Sequence, residues 1–115
     1  MPTFTLEFDD LSTAPASGRV APATWLAVET ALRRLAESDS GFVIVGQDEL
    51  SFMQTARTMG PRPEVIVEWQ DGDTDRHFML PNPVENIDLL VELFSVYFET
   101  PERIGTAATW VVMEL

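Results

Sequence analysis

Residues 65–80 read VIVEWQDGDTDRHFML, in which the strand-like runs 65–70 and 77–80 lie on either side of a loop that contains the Asp-Gly pair at 71–72. Val65, Val67 and Trp69 share one face of an extended chain, because successive side chains of a strand point to opposite faces. An Asp-Gly pair between two such runs is typical of the turn in a β-hairpin. The stretch therefore predicts two antiparallel strands joined by an acidic turn.

Further strands are predicted on both sides of this hairpin. Alternation, or a short β-rich run bounded by turn residues, marks residues 4–8, 42–45, 50–55 and 109–113. Residues 11–21 are instead rich in Ser, Ala, Pro and Gly. That composition predicts a flexible loop between the first strand and the next element.

Two segments have the period of amphipathic helices. From Trp25 onward, Val28, Leu32 and Leu35 share one face, and Pro22 favours a helix start just before them. Further along, an N-cap Asn followed by Pro at 82–83 predicts a helix over residues 84–99. The apolar side chains of this second helix span about 240° at roughly 100° per residue, which is more than one buried face requires.

Together these elements predict an α+β fold in a single domain, residues 1–115. We expect a mainly antiparallel sheet of five to six strands with two helices packed on one face. The order along the chain is strand, helix, four strands, helix, strand. The broad apolar surface of residues 84–99 either lies between the sheet and the first helix or pairs with a second copy as a homodimer.

The charge balance restricts the class of partner. The chain has 19 acidic residues and seven basic ones, all arginine, and a net charge of -12. Binding to nucleic acid or to an anionic membrane requires clustered cations, so we expect neither kind of partner. A basic protein is the partner that this charge favours.

Other features of the composition concern location and redox chemistry. The chain has no cysteine, which excludes disulfides, zinc-thiolate sites and a cysteine nucleophile. The first residues lack the positive start and long apolar run of a signal peptide, and no stretch approaches the roughly 18 apolar residues of a membrane span. We therefore expect a cytoplasmic location.

The acidic side chains are concentrated in two segments. In residues 64–75 five carboxylates occur without an arginine, and residues 85–99 add a narrow acidic stripe. We predict that a partner contacts Glu64, Glu68, Asp71, Asp73, Asp75, Glu85, Asp88 and Glu92. The alternative is that these charges only keep a small protein in solution.

Sequence motifs for catalysis or for cofactor binding are absent. The chain has no Gly-rich phosphate loop, no Gly-x-Ser-x-Gly elbow and no His-Glu-x-x-His motif, so we predict no catalytic residue and no cofactor. The alternating carboxylates of residues 71–75 fail the EF-hand pattern, because Arg76 and Asn82 stand at its sixth and twelfth positions, and we predict no metal site. An alternative is a ligand-binding or enzymatic pocket formed by Gln54, Arg76 and His77, the single histidine.

Several of these stretches together resemble a group of small, uncharacterised bacterial proteins. The resemblance covers residues 42–98 and consists of LSFMQTA at 50–56, VIVEW at 65–69, DG at 71–72, RHF at 76–78 and a following helix that ends in aromatic residues. Some of these bacterial proteins look like immunity proteins of polymorphic toxin systems. The resemblance implies a non-catalytic protein that covers the active site of a toxin, and it assigns no functional residue.

The sequence thus leads to three hypotheses for function. The first is a non-enzymatic acidic protein that binds a basic protein partner, as an immunity or antitoxin-like inhibitor does. The second is a small-ligand or enzymatic pocket near His77, between sheet and helices. The third is a structural homodimer that pairs through the helix over residues 84–99.

Overall fold

Antiparallel pairing organises the whole chain around one sheet. The computed structural model describes residues 3–113 and contains the strands β1 Thr5–Asp9, β2 Gly18–Val20, β3 Phe42–Gly46, β4 Ser51–Arg57, β5 Val65–Asp71, β6 His77–Met79 and β7 Val111–Val112. The order across the sheet is β2-β1-β3-β4-β5-β6-β7, and every neighbouring pair is antiparallel. The predicted α+β fold with an antiparallel sheet is therefore confirmed.

The helices are α1 Trp25–Ala36, α2 Ile87–Glu99 and the short α3 Ile104–Ala107, which follows a 3₁₀ turn at Pro101–Arg103. Helix α1 connects β2 to β3, which lie on either side of β1. Helices α1 and α2 pack against each other and against the same face of the sheet. The described residues thus form three helices where two were expected, and the short α3 is the additional one.

The core lies between the sheet and these helices. Its sheet side consists of the inward residues of the central strands, and its helix side of one stripe from each long helix. The buried side chains include Leu6, Val43, Val45, Met53 and Val67 from the sheet, Val28, Ala31, Leu32 and Leu35 from α1, and Leu90, Leu93, Phe94 and Tyr97 from α2. The predicted apolar face of α1 is therefore the buried one.

The number of strands differs from the expectation. Within residues 3–113 there are seven strands instead of five or six, because residues 18–20 of the predicted loop 11–21 form the edge strand β2. Gly18 allows this pairing, since a Cβ there would lie 2.7 Å from the ring of Phe8 on β1. The loop itself is held to α1 by Arg34, whose guanidinium donates to the backbone oxygen of Thr13.

Both helix starts also differ from the expectation. Helix α1 begins at Trp25 instead of near Pro22, because the Thr24 hydroxyl caps it and Ala23 donates its backbone N–H to the carbonyl oxygen of Phe4, just before β1. Helix α2 begins at Ile87 instead of residue 84, with Asn86 as its N-cap. Residue 84 is unavailable to the helix because its backbone exchanges two hydrogen bonds with Val65.

No helix among residues 3–113 is long and apolar enough to cross a membrane.

The last strand is shorter than expected, since β7 spans two residues of the predicted segment 109–113.

Candidate functional site

One face of the sheet carries no helix within the described part of the chain. Because side chains alternate along a strand, the partners of the core residues point to this opposite face. We call it the helix-free face, and its side chains belong to Thr5, Glu7, Asp9, Arg19, Phe42, Ile44, Phe52, Gln54, Ala56, Ile66, Glu68, Gln70, His77 and Met79.

Apolar side chains occupy much of the helix-free face. Phe42, Ile44, Phe52, Ile66 and Met79 are each half-buried there, although no second layer covers them. A monomeric protein seldom leaves such a group of large apolar side chains open to water unless the surface binds something. This face is therefore the candidate binding surface.

A polar network lies in the middle of these apolar residues. His77 places its Nε2 2.8 Å from Oε1 of Glu68 and its Nδ1 3.0 Å from Oε1 of Gln70. The amide of Gln54 donates to Oε2 of Glu68 at 3.3 Å. Glu68 and His77 are 8% and 4% exposed, so the network is buried although its face is open.

Hydrogen bonds connect Gln70, His77 and Glu68 in a chain. The Gln70 Nε2 donates to the backbone oxygen of Leu50 at 3.0 Å, which turns the Gln70 Oε1 toward the imidazole. Since that oxygen can only accept, Nδ1 must donate to it. Nε2 lies 2.8 Å from the Glu68 carboxylate, so His77 links Gln70 to Glu68 through its two ring nitrogens.

Two hollows adjoin the network on the helix-free face. The smaller, about 340 Å³, has Glu68 beside Phe42, Ile44 and Ala56. The larger, about 460 Å³, contains three carboxylates and one arginine, from Glu7, Asp48, Glu49 and Arg19. Ile44 and Gln54 line both hollows, so the two are neighbours and together form a concave, acidic area.

The structure separates the acidic residues that were expected to act together. Glu68 belongs to the helix-free face, whereas Asp88 and Glu92 lie on α2, which packs on the other face. Asp73 and Asp75 are exposed at the β5–β6 turn. The eight residues Glu64, Glu68, Asp71, Asp73, Asp75, Glu85, Asp88 and Glu92 therefore do not form one surface.

Several of these carboxylates have partners of their own. Asp71 pairs with Arg76, Glu85 lies 3.6 Å from Arg62, and Asp88 lies 3.9 Å from Arg33. All three pairs are solvent-exposed, so each contributes little to stability. These pairs also reduce the unpaired negative charge of the β5–β6 turn and of α2. Neither region is therefore favoured as the main contact area for a basic partner.

The alternative pocket is assembled in part. Gln54 and His77 meet, since both contact the carboxylate of Glu68. Arg76 does not join them, because its guanidinium pairs with Asp71 at the turn. Glu68, which connects Gln54 to His77, was predicted as a contact for a partner. The strand register could have revealed its position, since Gln54 pairs with Glu68 and Gln70 pairs with His77.

The apolar surface of α2 is used mostly inside the molecule. Its buried side chains face the sheet, and Phe98 stacks on Phe4 with ring centroids 4.8 Å apart. Leu89, 41% exposed, is the large apolar side chain of α2 that stays in solvent. The breadth of apolar residues in the sequence is thus explained by packing against the sheet, α1 and the chain that follows.

A third hollow, about 330 Å³, lies at one end of the sheet beside Tyr97, Gln47, Asp71 and Glu102. The pKa of Tyr97 is raised to about 12, chiefly by burial, with the hydrogen bond from Gln47 opposing the rise and the negative charges of Asp48 and Asp71 adding to it. The neutral phenol is therefore the form that the fold stabilises.

Within residues 3–113, no group of three His, Cys, Asp or Glu side chains is arranged to hold a metal ion.

The buried His77–Glu68 pair gives a prediction about stability. Replacing both residues with alanine, singly and together, should show a coupling of about 1–3 kcal/mol, because either single change leaves a buried polar group without its partner. Urea unfolding of the four proteins measures this coupling. The exposed pair Arg19–Glu7 is the control, and its coupling should stay below about 1 kcal/mol. Equal coupling in the two pairs would contradict a buried network.

Tyr97 is the single tyrosine, so its ionisation can be followed directly by ultraviolet absorbance. In the folded protein the midpoint should lie near pH 12, against about 10 in urea. Because folding raises this pKa, the contribution of the neutral Tyr97 phenol to the free energy of unfolding is complete below pH about 10. It is lost as the pH rises through about 12. A midpoint near 10 in the folded protein would show that the phenol is accessible to water.

No family model, curated protein sequence or solved structure matches this chain. Its function therefore has to be inferred from the sequence and from the geometry described above.

Proposed function

We propose that this chain is a non-enzymatic binding protein whose helix-free face binds a basic surface of another protein. The observation that carries the proposal is the one-sided covering of the sheet. The solvated face of an antiparallel sheet is usually polar. Here that face carries the half-buried apolar side chains of Phe42, Ile44, Phe52, Ile66 and Met79. A partner that covers them gains the free energy of burying apolar surface.

Charge supports a basic partner. The helix-free face and its rim carry the carboxylates of Glu7, Asp9, Asp48, Glu49 and Glu68, and Arg19 is the arginine of this face. The whole chain has a net charge of -12, which attracts a cationic protein over long range. Acidic groups around apolar side chains favour a partner that presents arginines or lysines around an apolar centre.

The size of this face also fits a protein partner. Seven strands at about 4.8 Å spacing span roughly 29 Å, and a central strand of seven residues extends about 23 Å. An interface of ordinary size buries about 800 Å² on each partner. The helix-free face is large enough for such an interface, and its two hollows provide places for protruding side chains.

An immunity or antitoxin-like inhibitor is the specific form of this role that we propose, on the resemblance of residues 42–98. Such a protein needs no catalytic group, since it acts by covering the active site of a toxin. The acidic, open sheet face supports that use, because a toxin that cleaves nucleic acid presents a basic surface. A cytoplasmic location belongs to the same proposal.

The other two hypotheses have less support. A ligand-binding or enzymatic pocket at His77 would have to break hydrogen bonds that already occupy both ring nitrogens. A homodimer through α2 would rest on Leu89 and its exposed neighbours, because the larger apolar side chains of that helix are packed internally. We therefore favour the helix-free face over both.

Introducing a positive charge in the middle of this face tests the proposal. Ile44→Arg should abolish capture of a basic protein from an extract of the native cell, because the new cation repels the partner and obstructs both hollows. Leu26→Arg makes the same change in charge on α1, where the leucine is 74% exposed, and should leave capture unchanged. For the unmodified protein, raising the salt concentration should slow association by on the order of tenfold.

Circular dichroism establishes that both variants are folded before capture is compared. Equal capture by Ile44→Arg and Leu26→Arg would contradict the use of this face. Association that is independent of salt would contradict a partner selected by its positive charge.

A further inference from the structure

We infer that Glu68 and the smaller hollow beside it form a subsite for one arginine side chain of the partner. This inference rests on the proposed function, since it specifies how the helix-free face recognises a basic protein. It concerns Glu68, Gln54, Phe42, Ile44 and Ala56, which line the hollow of about 340 Å³.

The carboxylate of Glu68 has unused capacity to accept hydrogen bonds. Its Oε1 is bound by His77 at 2.8 Å, while its Oε2 accepts one long bond of 3.3 Å from the Gln54 amide. An ionised carboxylate offers about four lone-pair positions. A donor that enters the hollow can therefore bind Oε2 without displacing His77.

The pairing with His77 holds this carboxylate in one position. Gln70, bound in turn to the backbone of Leu50, orients the imidazole, and the imidazole orients Glu68. Such a chain of hydrogen bonds reduces the conformational entropy that the Glu68 side chain would otherwise lose when a partner binds. The network therefore prepares an acceptor before the partner arrives.

The walls of the hollow select the kind of cation. Phe42, Ile44 and Ala56 are apolar, and a strongly hydrated ammonium or metal ion would lose water against them. A guanidinium is planar and weakly hydrated, so it can stack on an aromatic ring while its N–H groups bind a carboxylate. Its methylene stem can also cover Ile44.

The charges around the hollow favour the binding of a cation and disfavour the binding of an anion. Glu68 is the acidic residue of the hollow itself, and His77 is its hydrogen-bond partner. The adjoining hollow contributes Glu7, Asp48 and Glu49 against Arg19. These carboxylates offset the positive charge that an arginine would bring.

A small probe tests the subsite without the partner. We would titrate the full chain with N-acetyl-arginine methylamide and follow the side-chain amide of Gln54 and the backbone amide of Ala56 by NMR. The expected result is saturable binding in the millimolar range at these two groups. The neutral isostere N-acetyl-citrulline methylamide should bind about tenfold more weakly, since it cannot form the charged pair.

Two variants and one control locate the binding. Glu68→Gln removes the charge and should lower the affinity for the arginine probe by about tenfold or more. Ala56→Leu fills the hollow without touching the network, so it should block the probe even if Glu68→Gln proves unstable. Glu92→Gln removes an exposed charge on α2 and should leave the affinity unchanged.

Equal binding of the arginine and citrulline probes, or unchanged affinity in folded Ala56→Leu, would overturn the inference. Its failure can be told apart from failure of the proposed function. If Ile44→Arg loses the protein partner while Glu68→Gln and Ala56→Leu keep it at full affinity, the helix-free face binds the partner and the arginine subsite is wrong. If all three variants keep the partner, the proposed use of the face is wrong.

Discussion

The pairing register of β5 with β4 and β6 determines which side chains enter the core and which form the candidate site. In this register Val67 and Trp69 point toward the helices, while Glu68 and Gln70 point to the helix-free face. A slip by one residue would place the carboxylate of Glu68 among the apolar side chains of the core, at a cost of several kcal/mol. The hydrophobic requirement of the core thus holds the polar network in place on the opposite face.

The helix-free face combines two properties that are seldom found together on an outer surface. Its middle contains the buried, hydrogen-bonded pair Glu68 and His77, and its surroundings are apolar and half-buried. A buried polar pair of this kind adds little net stability by itself, because desolvation opposes the attraction between its partners. Its contribution to the proposed function is geometric, since it fixes a carboxylate within an apolar area where a cationic side chain would be weakly hydrated.

The sequence was most informative where one period runs through several residues. The faces of residues 65–70 and the Asp-Gly turn after them predicted β5 and β6, and the apolar stripe of α1 predicted its buried face. The edge strand β2 could not be predicted in this way, because three residues in a Ser- and Pro-rich segment become a strand only through pairing with β1. The start of α2 was missed for a similar reason, since the bridge to Val65 is a contact between distant residues.

Candidate site residues were predicted less well than the fold. Composition identified an excess of carboxylates, but it could not separate those on α2 from those on the helix-free face, because that division depends on which face the helices cover. Glu68 was included for its charge, and its burial beside His77 follows from strand register. Glu7, Asp48 and Glu49 were missed, because a hollow formed by β1 and the β3–β4 turn leaves no local pattern in the sequence.

Hydroxyl-radical footprinting of the complex with the captured basic protein tests the central claim most directly. The account predicts that the partner lowers the reactivity of Phe42, Phe52 and Met79 on the helix-free face. The reactivity of Leu26 and Leu89 on the helix side should not change. Protection of Leu26 and Leu89, with Phe42, Phe52 and Met79 still as reactive as in the free protein, would contradict it.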